Sequence, residues 1–72
     1  MKGKSLMDEY KRIKQYNDGS VLVEHRDHTG FLLARYIGYY DYRNHTYRLY
    51  PARGERHYRC KVHTIAERLL RV

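Results

Sequence analysis

Apolar and polar residues alternate along much of the chain, and the alternation is interrupted by short clusters of turn-forming residues. The first interruption is Asn17-Asp18-Gly19-Ser20. Asp-Gly between two segments suited to strands predicts a hairpin, because glycine takes a positive φ without steric cost. Val21-Leu22-Val23-Glu24 follows and is rich in β-branched residues, which fit a pleated surface. The segment before the turn, Tyr10 to Tyr16, reads two ways. Leu6, Tyr10 and Ile13 fall at helical spacing, and Ser5 with Asp8 suits a helix start. A short helical turn near residues 5–9, then a strand, is the expectation. Asp27-His28-Thr29-Gly30 predicts a second turn, and Phe31 to Tyr40 is the most strand-like stretch of the chain. Gly38 within it predicts a bulge or bend.

Arg43-Asn44-His45 predicts a third turn and Thr46 to Tyr50 a short strand. Pro51-Ala52-Arg53-Gly54-Glu55 is expected to leave the sheet, since proline has no N–H to give a ladder. Arg56 to Val62 alternates once more. Thr64-Ile65-Ala66-Glu67 then matches a capping box, with threonine accepting from the first turn and glutamate reaching back. Ile65, Leu69 and Val72, flanked by Ala66 and Leu70, form one apolar stripe, and Arg68 and Arg71 suit the end of a helix dipole. The expected fold is therefore α+β. It is a small antiparallel sheet of four or five strands with a C-terminal α-helix packed on one face, and a small closed barrel is the alternative. Residues 1–72 read as a single small basic domain, with residues 1–6 as a flexible leader.

Side chains alternate across a strand, so parity decides which residues share a face. In the last two predicted strands Tyr47, Leu49, Tyr58, Cys60 and Val62 share one parity. Arg48, Tyr50, His57, Arg59 and Lys61 share the other. One face is apolar and ready to receive the terminal helix; the other mixes cations with aromatic rings.

Composition sharpens that contrast. Leu, Ile, Val and Phe make only 15 of the 72 residues, so nine tyrosines must supply much of the apolar surface. A thin core with half-exposed rings follows, and a large catalytic domain with a deep pocket is excluded. The net charge of +7 excludes an acidic mimic of nucleic acid. Residues 1–42 carry seven Lys or Arg against six Asp or Glu, whereas residues 43–72 carry eight against two. Arginine outnumbers lysine ten to five, and its planar fork grips phosphate and stacks on bases. A sheet face of this kind suits single-stranded nucleic acid, with phosphates on the cations and bases on the rings. The candidate contact residues are Arg48, Tyr50, His57, Arg59 and Lys61 on the face, with Arg43, Arg53 and Arg56 in the flanking turns. An ordinary sheet with one wet face shows the same alternation.

Other chemistries are less well served. Cys60 stands alone, which excludes an internal disulfide and fits a reducing compartment. His25-x-x-His28 and His57-x-x-Cys60-x-x-His63 invite a zinc reading, but ligands three apart diverge on a strand and the paired-cysteine knuckle is missing. No metal, cofactor or catalytic residue is assigned. There is no nucleophile elbow, P-loop or dinucleotide turn, so a non-enzymatic module is expected. A small basic ribonuclease, with His57 as acid–base beside Arg59 and Arg48, is the third reading. No apolar run approaches the ~20 residues of a membrane helix. Met1 to Met7 holds charge without an apolar stretch, so it is no signal peptide, and a cytoplasmic protein is expected.

In size, single domain and sheet-plus-helix build the chain resembles phage-encoded host-directed proteins such as the small anti-CRISPR inhibitors. The likeness is one of overall build and carries no site residues. It implies a second function, inhibition of a host protein by direct contact in the host-cell cytoplasm, in which the same Tyr and Arg residues serve as interface anchors. The leading expectation remains a basic module contacting nucleic acid or a ribonucleoprotein.

Overall fold

The computed structural model describes residues 8–54 and 60–72. Six strands form one sheet: β1 (Glu9–Gln15), β2 (Val21–Arg26), β3 (Leu32–Asp41), β4 (Thr46–Pro51), β5 (His63–Ala66) and β6 (Leu70–Arg71). Their order is β5-β4-β3-β2-β1-β6, antiparallel except where β6 runs parallel to β1. A single 3-10 turn, Glu67–Leu69, separates β5 from β6, although they lie at opposite edges of the sheet. So short a link between distant edges requires the sheet to curl. The curl brings Tyr10 on β1 against His63 on β5, with the tyrosine hydroxyl 3.1 Å from Nε2.

The first three hairpins are each organised by an aspartate at the turn. Asp18 accepts from the Ser20 N–H and hydroxyl, and Gly19 takes φ 90° beside it. Asp27 accepts from the Thr29 N–H and hydroxyl and from the Phe31 N–H. Asp41 accepts from the Arg43 N–H and the Asn44 side-chain amide. A short polar side chain that bonds the backbone two residues on substitutes for a backbone turn. All three turns thus fall where the residue pattern places them.

The core is small. Val21, Val23, Ala34, Tyr36, Leu49 and Ile65 are buried, and Tyr10, Tyr47, Cys60 and Leu70 pack against them. They come from alternate positions on β2, β3, β4 and β5; of the apolar face expected from parity, Leu49 is buried and Tyr47 and Cys60 pack on the core, whereas Val62 is exposed and Tyr58 lies outside the described residues. What covers it differs from expectation.

The C-terminal α-helix is absent, and the α+β description is corrected to a nearly all-sheet fold with six strands in a mixed sheet. Residues 63–66 pair with β4 instead, through Leu49↔His63, Arg48↔Thr64, Tyr47↔Ile65 and Thr46↔Ala66. A helix of nine residues is too short to persist on propensity alone, since isolated helices shorter than about 12–15 residues are marginal. Pairing, by contrast, fills the hydrogen-bonding edge that β4 otherwise leaves open. The Glu67 carboxylate does not reach back to Thr64. It accepts from the Tyr40 hydroxyl at 2.8 Å, while the Glu67 N–H bonds the His45 carbonyl. Of the predicted stripe, Ile65 is buried and Leu70 packs on the core, but Val72 is 85% exposed. The sheet-plus-helix build behind the resemblance to phage inhibitors is therefore not the build of this chain.

Three smaller expectations change as well. Asp8 and Glu9 are not in a helical turn, because Glu9 opens β1; residues 5–7 lie outside the described residues. The strand expected over 56–62 is not seen at Cys60, Lys61 or Val62, and residues 56–59 lie outside the described set. Gly38 marks no bulge. The irregularities fall between Arg12 and Lys14 in β1 and between His25 and Arg26 in β2. Gly38 sits in regular pairing with Val21 and Leu49, where there is no room for a side chain.

Candidate nucleic-acid interface

The β3–β4 hairpin carries the site. Its register pairs Ile37 with Tyr50, Gly38 with Leu49, Tyr39 with Arg48 and Tyr40 with Tyr47. Gly38, Leu49, Tyr40 and Tyr47 face inward, so Ile37, Tyr39, Arg48 and Tyr50 face outward. Tyr39 and Tyr50 are diagonal neighbours on that outer face. Their ring centroids lie 5.6 Å apart at 79°, edge to face. Both stay accessible, at 48% and 39% exposure. On the far side of Arg48, Thr64 of β5 completes the row.

The loop at the hairpin tip extends the same surface. With Asp41 holding the Arg43 N–H and the Asn44 amide, and His45 in the left-handed region at φ 55°, Tyr42 and Arg43 are pushed outward. Tyr42 is 82% exposed. An open groove of about 640 Å³ runs between tip and sheet, lined by Tyr39, Tyr42, Arg43, Arg48 and Thr64 among others. A second hollow of about 540 Å³ adjoins it, formed by Ile37, Tyr39, Tyr50 and Pro51. Tyr39 is the wall the two share.

The electrostatics follow from where the acids are spent. Hydrogen bonds from Ser20 hold the Asp18 carboxyl below its ordinary pKa, and those from Thr29, with the Phe31 N–H, do the same for Asp27. Asp41 is lowered by the Asn44 amide first and the Arg43 N–H next, with the charge of Arg48 a weaker contribution. Glu24 is lowered chiefly by its hydrogen bond from Arg26 at 2.8 Å, and it also pairs with Arg35. These carboxylates are occupied by local structure. Among the described residues no hydrogen bond or ion pair engages the Arg43 or the Arg48 guanidinium, and the charge of Arg48 helps to lower Asp41. Both arginines line the groove.

Of the residues expected from the sequence to form the site, Arg43 and Arg48 line this groove and Tyr50 lines the adjoining hollow. Arg53 is exposed in the turn after β4, at the opposite end of that strand from Arg43. Lys61 is exposed in the segment entering β5, where its carbonyl accepts from His63 Nδ1 at 2.8 Å. Neither lines the groove. Arg56, His57 and Arg59 lie outside the described residues. Tyr39, Tyr42 and Thr64 belong to the surface and were not anticipated. Tyr39 was recoverable from parity with Ile37 in the strand preceding the two whose faces were compared.

His25 and His63 occupy a different place. His25 stacks on Tyr10 with centroids 4.4 Å apart and bonds Asp8 at 3.0 Å, and His63 meets Tyr36 edge-on at 5.0 Å. Burial raises the Tyr10 hydroxyl above its ordinary pKa. Since His63 Nδ1 must carry the proton that reaches the Lys61 carbonyl, its Nε2 accepts from Tyr10. Among the described residues no three His, Cys, Asp or Glu side chains are grouped to hold a metal ion. No helix among them is long and apolar enough to cross a membrane. No family model, curated protein or solved structure matches this chain.

Proposed function

We propose that this chain is a non-enzymatic basic binding module that contacts nucleic acid, alone or within a ribonucleoprotein, through the outer face of the β3–β4 hairpin. The observation that supports this reading is the row of Tyr39, Arg48 and Tyr50 beside a groove whose other cation is Arg43. Arginine meets phosphate with a planar pair of donors and releases the counterions condensed there. Contacts of this type set register and affinity without reading sequence. Asp18, Asp27, Asp41 and Glu24 are each engaged in their own turns and ion pairs, in a chain whose formal net charge is +7.

The test is binding to unrelated labelled oligonucleotides over a range of salt. Affinity should fall steeply as salt rises, and Arg43→Glu with Arg48→Glu should abolish binding while the circular dichroism of the sheet is unchanged. Absence of binding at low salt, or full affinity in the double variant, refutes this use of the face. In that event the same Tyr and Arg residues stand as anchors for a protein target.

A further inference from the structure

We infer that the strand taken by this face is single, with unpaired bases seated in the corner between Tyr39 and Tyr50 and the backbone carried over Arg48 toward Arg43. This rests on the nucleic-acid reading above and deepens it. The two recesses that share Tyr39 differ in chemistry. Among the described residues the hollow is lined by Ile37, Tyr39, Tyr50 and Pro51 and by no charged side chain, so it suits a flat, largely apolar base better than a phosphate. The groove beside it holds Arg43, Arg48 and the Thr64 hydroxyl, against the single acid Asp41 among its described lining, whose oxygens already accept from the Arg43 N–H and the Asn44 amide; it suits the backbone. An alternation of apolar seat and cationic track is the layout of a single-strand site.

The ring geometry points the same way. At 79° the two tyrosines make a corner rather than a closed stack. A base laid flat on one ring abuts the other with its edge, so both contribute to one seat. In a duplex the faces of the bases are already covered by their neighbours, and only groove edges and phosphates are on offer. A two-stranded ribbon can enter a major groove. This hairpin would then direct Tyr42 and Arg43 at base edges and leave the Tyr39–Tyr50 corner empty. From Tyr50 to Thr46 the strand spans about 13 Å at ~3.3 Å per residue, and the loop lengthens the track. That suits a short run of nucleotides, at or below the short end of the range for small single-strand modules.

The experiment compares a short labelled single strand, as RNA and as DNA, with the same DNA annealed to its complement, by fluorescence anisotropy at low and moderate salt. The single strands should bind more tightly than the duplex. Tyr39→Ala and Tyr50→Ala should each weaken single-strand binding by about tenfold, as loss of one stacking partner does, without changing its salt dependence. Tyr39→Phe and Tyr50→Phe keep the ring and should bind like the parent, which separates stacking from a folding defect. Arg48→Gln should reduce the salt slope for every probe. Equal or tighter duplex binding, or unchanged single-strand affinity in the alanine variants, overturns this inference while salt-dependent binding leaves the nucleic-acid reading standing. If no probe binds at low salt, both fall together.

Discussion

Replacing Gly38 with alanine adds one carbon where the core is tightest. An ideal Cβ there lies 3.0 Å from Leu49 Cδ2, 3.1 Å from Val21 Cγ2 and 3.5 Å from Val23 Cγ2. Favourable carbon–carbon contact begins at about 3.5–4.0 Å, so two of the three approaches are too close. None of the neighbours has anywhere to go, since Leu49 and Val23 are 0% and Val21 2% exposed. Overpacking of this kind costs about 1–3 kcal/mol. Removing glycine's extra freedom in the unfolded chain offsets about 0.4–1 kcal/mol of it. The net expectation is a loss of about 1 kcal/mol, or roughly 4–8 °C in Tm for a domain of this size. Urea unfolding followed by circular dichroism measures it. Trimming a neighbour should relieve the clash, so Gly38→Ala should cost less in a Val21→Ala background than in the parent, with a coupling of about 0.5 kcal/mol or more. A Gly38→Ala protein as stable as the parent, or more so, refutes the claim that this glycine exists to let Leu49 and Val21 pack beneath the strand that presents Tyr39.

Two further predictions concern the turns. Asp18, Asp27 and Asp41 all have their folded pKa values depressed, so the stability they confer is fully present above the unfolded value near ~3.9 and is lost as pH falls through the lower folded values. Unfolding midpoints should hold steady on the neutral side of that value and drop in acid, and Asp27→Asn should make the drop shallower; a protein that gains stability on acidification contradicts this. Tyr40→Phe removes the hydroxyl that donates to Glu67 and whose pKa that carboxylate raises. Hydrogen exchange at the Glu67 N–H, which bonds the His45 carbonyl, should then quicken, whereas exchange in β2 should not.

The parts of the fold that could be read from the chain are those decided locally. Asp18-Gly19, Asp27 to Gly30 and Asp41 to His45 each contain the acceptor and the backbone freedom their turn needs. Alternation in Thr46 to Tyr50 likewise assigns Leu49 to the core and Arg48 to the outside, whatever lies beyond. The terminal segment is different. Thr64 and Glu67 are a sound helix start in isolation, and Ile65 is apolar under either outcome. What decides it is a need located elsewhere, the unpaired edge of β4 and the carbonyl of His45. No window of sequence around 64–72 contains that need.

Charge density along the chain between Arg43 and Lys61 suggests a single cationic surface, but a strand separates in space what it keeps close in sequence. Arg43 precedes β4 and Arg53 follows it, and the six residues of Thr46–Pro51 between them place the two ends about 17 Å apart at ~3.3 Å per step. That exceeds the Debye length of about 8 Å at physiological salt, so the two guanidinium groups do not reinforce one another at a single phosphate. Arg43 and Arg48, by contrast, line one groove. The aromatic residue on that outer face is Tyr39, in a run where Tyr36 and Tyr40 point inward and the small residues Ala34 and Gly38 share their parity. Small residues that let a core close therefore say as much about the outer face as the charged residues on it. At this hairpin Gly38 is the residue whose inward place turns Tyr39 to the outer face.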